Sequence, residues 1–184
     1  NVPQCGLALE DLFLRAGFPA GCFQYLAIGS DRVKGIIEDE RVMAVTLTGS
    51  LEAGSAIASV AGKQIKPSVL ELGGSDPFIV MPSAPLEETV AEAVKGRVQN
   101  NGQSCIAAKR FIVHVAIYDD FEKRFIEAFR RLKMGDPMSP DTDIGPLAQA
   151  NGFQPLEQQL QAALEGGARL LICSKRGQGP GFRR

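Results

Sequence analysis

Short apolar strands that end in glycine and lead directly into helices are the feature that most constrains this fold. Residues 42–47 are apolar and partly β-branched, and Thr48-Gly49-Ser50 follows them, which predicts a buried strand and then a helix from Ser50 to about Gly62. Residues 68–72 predict the next strand, which enters Gly73-Gly74. Strands that alternate with helices in this way usually pair in parallel, so we predict an α/β fold.

The same alternation extends along the rest of the chain. Further strands are predicted at residues 23–28, 78–81, 109–115 and 170–173, and further helices at 6–16, 31–38, 84–99, 118–133 and 155–165. Ser83 is the predicted cap of the helix at 84–99. Residues 134–146 predict a loop, and the Gly- and Arg-rich tail at 175–184 is predicted to fray.

Composition excludes several classes of function. The formal net charge of −1 provides no strong field for nucleic acid or an anionic membrane, and no apolar run reaches the roughly 18 residues that a membrane span needs. Four widely spaced cysteines and one histidine, His114, predict neither a metal site nor a disulfide scaffold. The first residues lack the pattern of a secretory signal, so we expect reduced thiols and a cytoplasmic protein.

Residues 47–54 form the first candidate site, Leu-Thr-Gly-Ser-Leu-Glu-Ala-Gly. A helix N-terminus exposes free N–H groups and partial positive charge, which suits a pyrophosphate. Gly49 would admit the phosphate to the backbone, Ser50 would cap the helix and donate a hydroxyl, and Gly54 would allow close packing. The pattern lacks the usual dinucleotide and P-loop signatures, so a simple capped turn is the alternative interpretation.

Two further motifs carry reactive side chains. Glu71 ends an apolar strand before two glycines, which makes it a candidate general base, although a solvated strand-end glutamate is the alternative. Cys105 follows Asn101-Gly102-Gln103-Ser104, a polar turn whose backbone N–H groups could stabilise a thiolate and later an oxyanion. The alternative for Cys105 is a small buried apolar residue, which is the interpretation kept for Cys5, Cys22 and Cys173.

Together these motifs resemble those of the aldehyde dehydrogenase superfamily. Glu-Leu-Gly-Gly at 71–74 and Gly-Gln-Ser-Cys at 102–105 resemble its two active-site signatures, and Leu-Thr-Gly-Ser at 47–50 with Gly54 resembles its cofactor motif. Gly-Phe-Pro-Ala-Gly at 17–21 and Asp-Ile-Gly-Pro at 143–146 resemble two further landmarks. The segments around Gly-Gly-Ser-Asp-Pro-Phe and Cys105 are most similar to the bacterial succinate-semialdehyde dehydrogenase branch. Leu47 and Ser75 depart from the Phe and Lys that are common in the family.

The resemblance implies an aldehyde dehydrogenase-like fold. Residues 1–70 would be the later part of a Rossmann-like NAD(P)-binding domain, and residues 71–184 the early part of an α/β catalytic domain. Strands outside this segment would complete both sheets, so we expect these residues alone to be poorly stable or prone to aggregate. The resemblance also implies a homo-oligomer for the full-length protein, and the charge and hydropathy described above predict no nucleic-acid or membrane partner.

The resemblance further implies oxidation of a small aldehyde with NAD or NADP. Cys105 would attack the carbonyl, and hydride transfer to the nicotinamide would leave a thioester that water, activated by Glu71, would hydrolyse. Gly49 and Ser50 would hold the pyrophosphate, Gly54 would pack closely beside them, and Leu72 and Gly73 would pass near the nicotinamide. A catalytically inactive remnant or nucleotide-binding module is one alternative, and a non-enzymatic scaffold protein is another.

Overall fold

The computed structural model describes residues 2–149 and 152–173 and divides the chain into two compact units. Unit 1 is Asn1–Gly73 and unit 2 is Gly74–Arg184. Each unit contains two parallel strands joined by a helix, which confirms the predicted α/β class and the parallel pairing. The predicted frayed tail at 175–184 lies outside the described residues.

Unit 1 contains three helices and two strands among its described residues. Helix α1 spans Pro3–Arg15, α2 Ser30–Glu38, β1 Val45–Thr48, α3 Leu51–Lys63 and β2 Ser68–Glu71. In the parallel ladder Leu47 pairs with Leu70 and Thr48 pairs with Glu71. Because α3 connects the two strands, their carboxyl ends lie side by side at the same edge of the sheet.

Residues 23–28 do not form the predicted strand. The Tyr25 N–H donates to the Glu10 carboxylate of α1 at 3.1 Å, and the Phe13 and Phe23 rings stack with their centroids 5.2 Å apart. A strand needs a neighbouring strand to bind its backbone groups, and residues 23–28 find none within the described part of unit 1. The apolar pattern predicted a strand, but within unit 1 these residues contact α1 instead. Gly17 and Gly21, in the Gly-x-Pro-x-Gly segment before it, both have positive φ.

A lysine binds free carbonyl groups at the C-terminus of α2. The Lys66 ammonium donates to the carbonyl oxygens of Ile37 and Asp39, each at 2.6 Å. Helix ends leave carbonyl groups without intrahelical donors, and a cation stabilises them. The Arg41 side chain also donates to the Asp39 carboxylate and lowers the pKa of Asp39 well below its usual range.

Unit 2 has the same strand–helix–strand arrangement. Strand β3 spans Pro77–Val80, α4 Leu86–Val98, β4 Arg110–Val113, α5 Tyr118–Arg131 and α6 Phe153–Glu165, with short 3-10 turns at Gln99–Gly102 and Val115–Ile117. Strands β3 and β4 pair in parallel, with Phe78 opposite Phe111. The predicted loop at 134–146 is present and is closed by one bridge between Met134 and Ile144.

The core of unit 2 combines aliphatic side chains with a group of phenylalanine rings. Val80, Val90, Ala93 and Phe121 are buried together, and the rings of Phe111 and Phe125 lie 4.8 Å apart between β4 and α5. Buried aromatic pairs contribute about 0.5–1.5 kcal/mol beyond their buried area. The amphipathic pattern predicted for residues 118–133 therefore does pack α5 onto the sheet.

Two local predictions in unit 2 are wrong. Ser83 does not cap α4, because the helix begins one residue after Pro85, which occupies the cap position without a side-chain hydrogen bond. Residues 170–173 are not a strand, and no strand pairs with them within the described residues.

No helix in residues 2–149 and 152–173 combines the length and apolar character that would let it cross a bilayer. Many large apolar side chains of unit 1 are exposed, and its buried apolar side chains among the described residues are Ile37 and Ala61. Poor stability of these residues in isolation stays a prediction.

Candidate active site

The ends of β1 and β2 bring four of the predicted cofactor residues together in unit 1. The Gly49 N–H donates to the Glu71 carbonyl at 3.0 Å, which continues the ladder by one step. Gly49 and Ser50 after β1 therefore lie beside Leu72 and Gly73 after β2. In parallel α/β sheets, ligands usually bind at the carboxyl ends of the strands.

Ser50 is the N-cap of α3, as the sequence predicted. Its Oγ accepts a hydrogen bond from the Ala53 N–H at 3.1 Å, so its own hydroxyl hydrogen remains available to donate. The first N–H groups of a helix have no intrahelical acceptor, and they add positive partial charge at this end. Glu52 in the same turn is exposed and offsets part of that charge.

Gly54 is buried in α3 because Leu72 occupies the space that a side chain would need. A Cβ at Gly54 would lie 2.7 Å from Leu72 Cδ2 and 2.8 Å from Leu72 Cδ1. The predicted close packing at Gly54 is therefore confirmed, with Leu72 as the partner. The absence of a side chain at Gly54 therefore lets the Leu72 side chain pack directly against α3.

Gly49 and Gly73 are not required by the local packing. Neither has positive φ, a Cβ at Gly49 would make only an ordinary 3.6 Å contact with Leu47, and a Cβ at Gly73 would meet nothing within 4 Å. Both residues are exposed. Open space beside two glycines at adjacent strand ends fits the close approach of a phosphate or a ring to the backbone.

Glu71 is the last residue of β2. Its backbone carbonyl binds Gly49, whereas its side chain is exposed and has no hydrogen-bond partner within the described part of unit 1. The carboxylate is therefore free to bind water, as a general base requires, although it is not buried.

Cys105 is exposed at the second position of a tight turn in unit 2. The turn is closed by the Ala107 N–H, which donates to the Ser104 carbonyl at 3.2 Å. The N–H groups of Cys105 and Ile106 have no acceptor among the described residues of unit 2. Cys105 is thus accessible, with free backbone donors next to it, and is not the buried apolar residue of the alternative interpretation.

Two cations hold the backbone on either side of Cys105. Arg97, at the end of α4, donates to the carbonyls of Gly102 at 2.7 Å and Ala108 at 2.8 Å. The Lys109 ammonium donates to the carbonyls of Ser104, Cys105 and Ala107 at 3.2, 3.1 and 3.0 Å. We refer to Arg97 and Lys109 as the carbonyl clamp.

The residues before Cys105 have an unusual backbone conformation. Asn100, Asn101 and Gly102 all have positive φ, at 49°, 57° and 73°. Asparagine tolerates this region better than most residues, and glycine enters it without steric cost. This left-handed run reverses the chain at the end of α4 and presents the turn that contains Cys105.

The Asp-Ile-Gly-Pro segment anchors this reversal. The Asn101 side chain accepts from the Gly145 N–H at 2.9 Å and donates to the Pro146 carbonyl at 3.2 Å. Gln103 Oε1 also accepts from the Ala148 N–H at 3.1 Å. The landmark at 143–146 therefore supports the loop that carries Cys105.

Gly74 approaches the same turn from the side of β3. A Cβ there would lie 3.1 Å from the Cys105 carbonyl oxygen, closer than most side chains tolerate. The second glycine of the Gly-Gly pair therefore leaves room for the Cys105 carbonyl, which a side chain would have to displace by a few tenths of an ångström.

The other cysteines depart from the sequence-based interpretation. Cys5, Cys22 and Cys173 are exposed rather than buried among apolar neighbours, because the surrounding apolar side chains do not close over them. His114 caps the short turn before α5, where its Nδ1 accepts from the Ala116 N–H at 3.1 Å.

The predicted site residues thus fall into two sets. Glu71 and the predicted cofactor-binding residues lie in unit 1, and Cys105 lies in unit 2. The sequence pattern assigned no role to Arg97 or Lys109, and it included Asn101 only as part of the polar turn before Cys105. Only their positions next to the Gly-Gln-Ser-Cys motif could have drawn attention to them. A groove between α4 and α5, lined by Glu87, Val90, Arg124 and Arg131 among others, contains none of the predicted site residues. Within the described residues no cluster of three metal-ligating side chains occurs.

Comparison with known proteins agrees with this geometry. The sequence model described as the aldehyde dehydrogenase family matches residues 1–183. The succinate-semialdehyde dehydrogenase [NADP(+)] of Mycobacterium leprae (strain TN) is 57% identical over 182 residues, which are 99% of this chain and 40% of that protein. Succinate-semialdehyde dehydrogenase [NADP(+)] 1 of Mycobacterium tuberculosis (strain ATCC 25618 / H37Rv) is 56% identical over the same share of each chain.

Solved structures show the same fold. Succinic semialdehyde dehydrogenase from Streptococcus pyogenes, solved in complex with NADP+ as the cofactor, has a TM-score of 0.92 and 38% identity over 98% of this chain and 40% of that one. The Gox0499 protein has a TM-score of 0.93 and 44% identity over 99% of this chain and 40% of that one. The aldehyde dehydrogenase-like fold is confirmed, and the chain spans about 40% of the length of these proteins. The chain therefore belongs to the aldehyde dehydrogenase family.

Proposed function

We propose that the full-length protein carrying this segment oxidises succinate semialdehyde to succinate with NADP+, and that Cys105 is its nucleophile. The observation that carries the proposal is the exposed Cys105 in a turn with two free N–H groups, in a chain 57% identical to an NADP-dependent succinate-semialdehyde dehydrogenase. The names of the relatives favour NADP over NAD within the predicted pair of cofactors.

The strand ends of unit 1 fit the phosphates of that cofactor. Ser50 retains a hydroxyl hydrogen, the first turn of α3 offers free N–H groups, and Gly49 leaves the backbone open. At the end of β2, Leu72 packs against Gly54 and Gly73 leaves open space, which suits the approach of a nicotinamide ring. Residues 1–70 would accordingly belong to the cofactor domain and residues 71–184 to the catalytic domain.

Cys105 and Glu71 would divide the chemistry between them. The Cys105 thiolate forms a C–S bond with the aldehyde carbon, and the carbonyl electron pair moves to the oxygen, where backbone N–H groups stabilise it. NADP+, held by Gly49 and Ser50, would supply the hydride acceptor, and loss of a hydride from the carbon bound to sulfur would leave a thioester on Cys105. Glu71 then takes a proton from water, the hydroxide adds to the thioester, and cleavage of the C–S bond releases the acid and the Cys105 thiolate.

The test is NADP-linked oxidation of succinate semialdehyde by the full-length protein, with Cys105→Ala and Glu71→Gln variants. Loss of a covalent nucleophile costs on the order of 10⁴-fold or more in kcat, and we expect that loss for Cys105→Ala. Glu71→Gln should still form the thioester, and it should release a burst of NADPH followed by slow turnover. Cys22→Ala, which changes another exposed cysteine, is the matched control and should keep the wild-type rate.

Several results would contradict the proposal. Equal rates for wild type and Cys105→Ala would exclude Cys105 as the nucleophile. Tight NADP+ binding without turnover of any aldehyde would favour the nucleotide-binding alternative. Faster turnover with NAD+ than with NADP+ would reject the cofactor assignment while leaving the roles of Cys105 and Glu71 intact.

A further inference from the structure

Lys109 lies four residues after Cys105 and binds only backbone. An ammonium group has three N–H donors, and the three carbonyls of Ser104, Cys105 and Ala107 match that number. Lys109 forms no ion pair with a carboxylate among the described residues of unit 2. Its contacts are therefore concentrated on the turn that carries Cys105.

These contacts fix the direction of the peptide groups in the turn. In a planar trans peptide, the C=O of one residue and the N–H of the next point in opposite directions. Because the Ser104 carbonyl points to Lys109, the Cys105 N–H points away from the lysine. The Cys105 carbonyl points to Lys109 as well, so the Ile106 N–H also points away from it.

Both outward N–H groups are the donors without an acceptor described above. Oxyanion stabilisation depends on donors that are aimed before the reaction begins, because reorientation during the reaction would cost free energy. We propose that Lys109 is a positioning residue that aims the Cys105 and Ile106 N–H groups at the oxyanion formed during thiohemiacetal formation. This inference rests on the proposed role of Cys105 as nucleophile.

Arg97 does not perform the same task. It binds Gly102 and Ala108, the two ends of the loop, and its removal should loosen the whole segment. Lys109 binds the three carbonyls nearest to the sulfur, so its removal should reorient peptides while the loop stays anchored by Arg97 and Asn101. The two halves of the carbonyl clamp are therefore distinguishable.

The experiment uses the full-length protein with Lys109→Met, which keeps the length of the stem but removes the donors, and Lys109→Arg, which restores charge and donors. Lys123→Met, at an exposed position of α5, is the matched control. Two reactions of Cys105 are compared without cofactor. Hydrolysis of p-nitrophenyl acetate passes through an oxyanion, whereas alkylation by iodoacetamide does not.

Lys109→Met should lower the rate of acylation by p-nitrophenyl acetate about 10-fold to 100-fold, which is part of the loss seen when an oxyanion donor is removed. Its rate of alkylation should stay within about threefold of wild type, and kcat for the aldehyde should fall while KM for NADP+ stays unchanged. Lys109→Arg should recover at least about a third of the acylation rate, and Lys123→Met should match wild type.

Two results would overturn the inference. One is an acylation rate in Lys109→Met within about twofold of wild type. The other is an equal fall in acylation and alkylation, which would mean that the lysine merely holds the loop together. If Cys105→Ala hydrolyses the ester as fast as wild type, the proposed function itself fails, and the result does not depend on Lys109.

Discussion

Replacing Gly54 by alanine should have two opposing effects on the stability of unit 1. Gly54 lies inside α3, where alanine is favoured over glycine by about 1 kcal/mol. However, the new methyl group would lie 2.7–2.8 Å from both terminal carbons of Leu72. Leu72 would have to change rotamer, and overpacking of this kind costs about 1–3 kcal/mol. The net destabilisation should therefore be about 0–2 kcal/mol.

A double-mutant cycle separates the two effects. In a Leu72→Ala background the clash is absent, so Gly54→Ala should stabilise α3 by about 1 kcal/mol through helix propensity. The coupling energy between the two positions should then be about 1–3 kcal/mol. Gly35→Ala in α2 is the control, because a Cβ there meets nothing within 4 Å and should give the stabilisation without the penalty.

Hydrogen exchange of the full-length protein, followed by mass spectrometry on the peptide that covers α3, measures these changes locally. A change of 1.4 kcal/mol corresponds to about tenfold in the exchange rate. Gly54→Ala should leave exchange unchanged or accelerate it up to about 30-fold in the wild-type background, and it should slow exchange about fivefold with Leu72→Ala. Equal slowing in both backgrounds would refute the contact between Gly54 and Leu72.

Three further predictions concern single contacts. Asn101→Ala should cost about 1–3 kcal/mol, because it removes two half-buried hydrogen bonds, and it should accelerate hydrogen exchange in residues 143–146. Lys66→Met should cost about 1–3 kcal/mol and accelerate exchange in α2; unchanged exchange would show that the lysine does not close that helix. The hydrogen bond to Glu122 raises the pKa of Tyr118, so its stabilisation is present below the ordinary pKa of 10.0 and is lost as pH rises through the raised value. Ultraviolet titration of Glu122→Gln should show Tyr118 ionising at lower pH than in wild type.

Features of the fold that depend on interactions between residues close in sequence could be predicted. Ser50 was predicted as a helix cap and is one, because its hydroxyl satisfies an N–H three residues later. Residues 23–28 were predicted as a strand and are not, because apolar composition does not specify which neighbour covers a segment. Ser83 failed as a cap because the conformation of Pro85 determines where α4 begins.

Some residues of the candidate site could likewise be predicted from the sequence, and others could not. Glu71 and Cys105 belong to short motifs, so their side-chain types and spacing suggested the chemistry. Arg97 and Lys109 act on backbone carbonyls, and every residue has a carbonyl, so their targets carry no signature in the sequence. Asn101 was part of a recognisable motif, but its partners lie more than 40 residues further along the chain.

The dependence of the clamp on carbonyls has a consequence for sequence variation. The hold on the loop does not require particular side chains at Ser104 and Ile106, because Arg97 and Lys109 bind only main-chain oxygen atoms. Those two positions flank Cys105, the proposed nucleophile, and can be exchanged without loosening its support. Evolution or engineering can therefore change the side chains beside Cys105 while the geometry of the turn is inherited unchanged.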